Sequence, residues 1–213
     1  MGHREDLLDG AKRCLLEKGY ARTTARDIVK ASGTNLASIG YHYGSKDALM
    51  REALFAAVGD WGDDVQEALE KEVSPDAPLA ERFEAGWSKA TALFERHQRL
   101  WSANLEAVLS ADDDPELRAA FARVLPEARA GLVSLFNGKP QDEVTEDEAR
   151  VYGGFYHALV AGLVVQKALA PEYALPGHEL IEAMRRIVTD ADAGTDTGTE
   201  TAEDAEDTAQ SGT

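Results

Sequence analysis

Apolar residues recur at helical spacing along almost the whole chain, and no stretch sustains the two-residue alternation of β-branched side chains that marks a strand. The pattern predicts a first helix from about Arg4 to Lys18, with Leu7, Ala11, Cys14 and Leu15 on one face and Gly19 as its stop. A second starts behind Thr24, a capping residue with Asp27 three positions on, turns Ile28 and Val29 inward and ends near Ala31. Ser32, Gly33 and Thr34 form a tight turn, and Asn35 caps a short third helix to about Tyr43. Ser45 caps a fourth that runs at least to Val58, with Gly59 and Gly62 expected to kink it before Val65–Val73.

The run from Ser74 to Pro78 is a clear break. Helices are predicted over Leu79–His97 and Arg99–Ser110, and another is opened by Asp114 with Pro115 at its first position. Pro126 lies inside that last stretch and is expected to kink or divide it. Asn137–Pro140 is a turn, and Thr145 with Glu148 makes a capping box for a long helix to about Ala170. A final helix is predicted over Glu179–Asp190. The expected fold is all-α: an N-terminal three-helix unit over residues 1–50, then a larger helical domain over 51–190. From Ala191 to Thr213 no large apolar residue occurs, and this acidic tail is expected to be disordered for want of surface to bury.

Two helices joined by a tight, glycine-containing turn, here Thr24–Tyr43, are the signature of a helix-turn-helix. At about 100° per residue, Leu36, Ile39 and Tyr43 fall together and are expected to pack inward. Thr34, Asn35, Ala37, Ser38, Tyr41 and His42 fall on the other side, where small residues would let the backbone lie close in a major groove. Tyr41 and His42 can donate to phosphate oxygens, and Thr34, Asn35 and Ser38 are short groups suited to base edges or nearby phosphate. Backbone amides at the starts of helices two and four, beside Thr24 and Lys46, add anion sites aligned with the helix dipoles. The same polar face also suits a solvent-exposed helix of an ordinary bundle.

Net charge is −17, which by itself argues against nucleic acid, but the charge is unevenly spread. Residues 1–50 carry 8 Lys/Arg against 6 Asp/Glu, a net of +2, while residues 51–189 carry −11 and residues 190–213 carry −8. Only the first fifty residues would not repel a phosphate backbone, and pairing two copies would double that charge. Met1–Asp6 does not read as a secretory signal, and the most apolar stretch, Ala158–Val165, falls far short of the roughly 20 residues a membrane span needs. The single cysteine, Cys14, excludes an internal disulfide and is read as buried and inert. A soluble, cytoplasmic protein without membrane partners is expected.

Catalytic chemistry has little support. There is no phosphate loop, dinucleotide fingerprint or nucleophile elbow. The histidines (His3, His42, His97, His157, His178) are scattered, with no i, i+4 pair for zinc. Asp112, Asp113 and Asp114 read as a cap and its loop rather than a cation site. No catalytic residue, metal or cofactor is expected. An architectural DNA-bending protein would carry more basic charge and apolar wedges, and the first fifty residues have neither.

Residues 4–50 resemble the N-terminal DNA-binding domain of the tetracycline-repressor (TetR) family. The likeness runs through Thr23–Val29 and Ala31–Asn35, and above all through Ile39, Gly40, Tyr41, His42, Tyr43, Gly44, Ser45, Lys46, Asp47, Ala48 and Leu49. It implies that Thr24 caps helix two near a phosphate and that Asn35 caps the recognition helix. Ala37 and Ser38 would face bases, Tyr41 and His42 would hold the backbone, and Lys46 would bind a phosphate. The chain departs from the family's pattern at Gly40, where a large residue such as Tyr is common. Thr34 and Asn35 likewise stand where an aliphatic residue and a Ser are usual. Glycine inside a helix costs about 1 kcal/mol relative to alanine, so close packing or close approach of DNA is expected at Gly40.

The resemblance also implies a homodimer on a palindromic double-stranded operator and a small-molecule inducer that releases it. The last two helices offer stripes for pairing: Val151, Phe155, Ala158, Leu159, Gly162, Leu163 and Gln166 on one, and Leu180, Ile181, Met184, Ile187 and Val188 on the other. Those stripes would equally serve as internal core. Trp61, Trp87, Phe94, Trp101, Phe121, Phe136 and Tyr152 could line an apolar ligand pocket, although most aromatic residues on helices are simply core.

Overall fold

Side-chain caps decide where most of the helices begin. The structure, a computed structural model, describes residues 2–74 and 76–196. Among these are nine α-helices: α1 (His3–Lys18), α2 (Ala25–Ser32), α3 (Leu36–Tyr43), α4 (Lys46–Glu70), α5 (Leu79–Arg96), α6 (Gln98–Ser110), α7 (Pro115–Asn137), α8 (Glu146–Leu169) and α9 (Gly177–Asp196). The described residues contain no strand. Thr24, Asn35, Ser45, Asp114 and Thr145 each accept a backbone N–H of the first turn of their helix, satisfying a donor that the helix itself cannot.

Three helices run on further than the sequence alone suggested. α4 runs unbroken through Gly59 and Gly62, because Ala57, Trp61, Val65 and Leu69 are buried on both sides of the glycines and hold the helix in place. α7 is not divided at Pro126: Leu117 and Ala120 anchor the segment before it, and Val133, Leu135 and Phe136 the segment after. The last helix begins at Gly177 rather than Glu179, and its backbone continues to Asp196, through the good helix formers Ala191 and Ala193. The rest of the tail expected to be disordered, residues 197–213, lies outside the described residues.

The described chain divides into two compact units, one of Met1–Ala174 and one from Leu175 onward. In the first, α1 packs on α2 and α4 through Leu7, Ala11, Cys14, Leu15, Ile28, Leu49, Met50, Ala53 and Leu54, all buried. α1 approaches the end of α2 so closely that a Cβ on Gly10 would stand 2.7 Å from Ser32 Cβ. Buried Thr23 donates to the carbonyls of Gly19 (2.8 Å) and Cys14 (3.2 Å), fixing the loop between these helices. Burial pushes the Cys14 thiol up, away from reactive thiolate.

α4 to α8 form the larger bundle. The α7–α8 pair is the most extensive contact, and its helices cross at Gly153, where a Cβ would meet Arg129 O at 2.6 Å. Phe83, Phe136 and Tyr156 cluster with ring centroids 4.9 to 5.7 Å apart. The Tyr156 hydroxyl donates to Asn137 Oδ1 at 2.6 Å, and burial pushes its pKa up to about 12. Polar contacts tie the first four helices to this bundle: Arg51 to Glu116 (3.0 Å), Lys12 to Asp60, and the Tyr20 amide to Glu106 Oε2 (2.9 Å). No helix among the described residues is long and apolar enough to cross a membrane. In the second unit, α9 buries Ile181, half-buries Leu180 and Met184, and exposes Ile187 and Val188.

Candidate nucleic-acid interface

The two helices that bound the turn are locked at their starts. Thr24 and Asp27 form a reciprocal capping box: the Thr24 hydroxyl accepts the Asp27 N–H at 3.3 Å, and the Asp27 carboxylate accepts from the Thr24 N–H at 3.0 Å and hydroxyl at 2.6 Å. Lys18, at the end of α1, also hydrogen-bonds that carboxylate, and together with Thr24 it holds Asp27 far below the usual carboxylate range. α2 therefore starts at a fixed point on α1. Gly33 closes α2 in the left-handed region at φ 69°, the conformation that a tight turn into α3 requires. Ser32 and Thr34 hydroxyls meet at 2.7 Å across that turn, and Asn35 Oδ1 accepts the Ser38 N–H at 3.1 Å.

α3 is pinned at its far end by Tyr43, whose hydroxyl donates to Arg4 O at 2.7 Å while the Arg4 guanidinium lies over its ring. Between these fixed points the outer face of α3 is open. Tyr41 is 86% exposed, with its ring edge to face against His42 at 4.8 Å. Asn35, Ala37 and Gly40 are exposed; Thr34, Ser38 and His42 are half-buried. Residues 34–43 contain no acid. A Cβ at Gly40 would find no atom within 4 Å, so internal packing does not account for the glycine.

Two sequence expectations change here. Leu36, assigned to the packed face, is 53% exposed, and only Ile39 of that trio is fully buried. The wheel treats the helix as endless, whereas Leu36 is its first residue and has no preceding turn to shelter it. Its place just after the cap, where a recognition helix meets bases, was the signal available. Lys46 is not a free cation: its ammonium pairs with Asp47 at 2.7 Å beside the α4 N-terminus that Ser45 caps. Arg26 and Lys30, one turn apart on α2 and both exposed, were not singled out by sequence.

The aromatic residues expected to line one pocket fall into separate places. Trp61, Phe94 and Trp101 come together, Trp61 edge-on to Trp101 at 4.8 Å and Phe94 stacked on Trp101 at 5.5 Å. The indole N–H groups of Trp61 and Trp101 are buried with no acceptor among the described residues. His97, between α5 and α6, sets its Nε2 3.2 Å from Asp64 Oδ2 beside this cluster. Trp87 and Phe136 join Phe83 in the other aromatic group, and Phe121 pairs with Phe55. Tyr152 is half exposed, on the outer face of α8.

That outer face carries Val151, Phe155, Ala158, Gly162, Val165 and Leu169, all exposed and spaced alternately by four and three residues. Leu159 is half-buried beside the stripe. Leu163 is buried within the chain and lies off it, because it faces the bundle core.

A fixed tight turn, a capped short helix and an outward polar face define a helix-turn-helix domain of the DNA-binding type. Residues 7–53 match the family model described as bacterial regulatory proteins, tetR family. The HTH-type transcriptional repressor Rv1474c of Mycobacterium tuberculosis is 44% identical over 46 residues, 22% of this chain and 25% of that protein. A solved structure of a transcriptional regulator, SCO7518 of Streptomyces coelicolor A3(2), aligns with a TM-score of 0.60 at 25% identity, covering 87% of this chain and 97% of that one. The multidrug binding protein EbrR, solved with proflavin, aligns with a TM-score of 0.57 at 22% identity over 87% of this chain and 99% of its own. Residues 7–53 are thus similar to the DNA-binding domain of the tetR family of bacterial regulatory proteins, and the fold of the chain is similar to that of solved transcriptional regulators. The chain matches the first curated relatives over about a quarter of their length.

Proposed function

We propose that this protein is a transcriptional repressor that binds a palindromic operator as a homodimer and lets go when a small molecule occupies the larger domain. The observation that carries the reading is the outer face of α3, where Tyr41, Ala37 and Gly40 are exposed and Ser38 and His42 half-buried on a helix whose two ends are fixed. On DNA, Thr34, Asn35, Ala37 and Ser38 meet base edges, while Tyr41, His42 and the α2 start at Thr24 hold phosphates. Leu36 offers an apolar contact to a thymine methyl. Gly40 lets the backbone approach the duplex where a Cβ would intrude. Lys46 contributes through the α4 amide terminus and by exchanging Asp47 for a phosphate. Arg26 and Lys30 on α2 add backbone contacts, since the first helix of such a pair crosses the phosphates.

The alternating stripe on α8 supports the dimer, because six exposed positions at that spacing form a seam for an identical helix. Within the second unit, Ile187 and Val188 on α9 are exposed in the same way. For the ligand, the two unpartnered indole donors beside Phe94 make the α4–α5–α6 cluster the best candidate site. Trp101 shares α6 with Glu106, which accepts the Tyr20 amide at the entry to α2. A ligand that displaces α6 therefore acts on the DNA-binding domain, and only through its difference in affinity for the two arrangements. The test is footprinting on duplexes selected from random sequence: a short, two-fold protected site supports the reading, and broad or absent protection overturns it.

A further inference from the structure

Arg82, in the first turn of α5, is a charged side chain only 5% exposed. Its Nε donates to Leu135 O at 3.2 Å, at the C-terminal end of α7. Gly138 closes α7 at φ 72° directly against it, and a Cβ there would lie 2.8 Å from Arg82 Nε. Capping α7 accounts for Nε alone. The two Nη groups have no acceptor, and no carboxylate stands within 4 Å of the guanidinium, among the described residues. Arg82 lines a cavity of about 330 Å³ together with Gln66, Glu70, Val73 and Gly138. Glu70, the one acid on that lining, is held by Gln66 instead.

Arginine does not give up its charge, so a buried guanidinium with unused donors favours an anion. Its planar fork matches a carboxylate with two parallel hydrogen bonds. The cavity is at the small end of the range for organic ligands, and Val73 and Gly138 give it an apolar side. We propose that this cavity between the end of α4, the start of α5 and the end of α7 binds a small organic carboxylate, with Arg82 as its anchor. The site stands on this cavity alone and does not depend on the DNA-binding reading.

The test is a titration of the full chain with sodium acetate at constant ionic strength, followed through the Arg82 Nε–H resonance and the Gly138 amide, with sodium chloride and inorganic phosphate as parallel arms. Acetate is expected to shift both signals saturably, and chloride to leave them unmoved. Arg82→Lys, which keeps the charge and loses the fork, should weaken acetate binding at least tenfold, and Glu70→Gln should strengthen it by removing a like charge. A shift that fails to saturate, or that chloride reproduces, overturns the site. Phosphate moving Arg82 at lower concentration than acetate overturns the carboxylate assignment. If Arg82→Lys does not fold, the wild-type titration and Glu70→Gln still decide the matter.

Discussion

Tyr41 is 86% exposed, and its ring meets that of His42. Because it supports nothing internal, Tyr41→Ala should leave Tm unchanged while lowering operator affinity about tenfold, roughly 1.4 kcal/mol. A gel-shift titration beside a thermal melt separates the two, and equal affinity would remove Tyr41 from the interface. Gly40 invites the opposite pairing of effects. Gly40→Ala gains up to about 1 kcal/mol of helix propensity in open space, so Tm should rise, while the added methyl should weaken DNA binding several-fold. A variant that binds as well as wild type would show that no duplex comes close there. The capping residues at this scale were legible in the sequence, since Thr24, Asn35 and Ser45 act on neighbours three positions away. Leu36 and Lys46 were not. The exposure of one comes from its place as the first residue of α3, which a helical wheel ignores, and the partner of the other depends on which carboxylate its flexible ammonium reaches.

Elements are held together by a few close approaches. At Gly153 the α7–α8 crossing leaves no room against the backbone of Arg129. Gly153→Ala should therefore destabilise by about 1–3 kcal/mol, the usual range for overpacking, read as a lower denaturation midpoint. A second prediction concerns the start of α8. The Lys139 ammonium first, then the Thr145 amide and hydroxyl, hold the Glu148 carboxyl down at about 2, well below its usual range. A depressed carboxylate stabilises fully above its unfolded value, near 4.3, and loses that contribution as pH falls toward about 2. Melts of Glu148→Gln and wild type should thus differ at pH 7 and converge toward pH 2.5; a gap independent of pH would contradict the ion pair. Caps and breaks marked most helix boundaries in the sequence. The survival of α7 through Pro126 and of α4 through two glycines was not legible, because burial on both sides outweighs a local penalty. Nor could spacing alone separate the Trp61–Trp101 cluster from the Phe83–Phe136 one.

For the whole molecule, the family model matches residues 7–53, and the fold of most of the chain is similar to that of a solved regulator. The exposed seam on α8 is the physical case for a dimer. Phe155→Asp, on a residue 45% exposed within one chain, should yield folded monomers by light scattering and lose operator binding. A dimer that persists would move the interface elsewhere. The α3 face is the centre of the account, and in-vitro selection tests it most directly: purified protein is offered random duplex DNA, and the enriched pool is footprinted with wild type and Tyr41→Ala. The account predicts convergence on a short, near-palindromic sequence that wild type protects and the variant protects poorly. A pool that stays random through repeated rounds would contradict it.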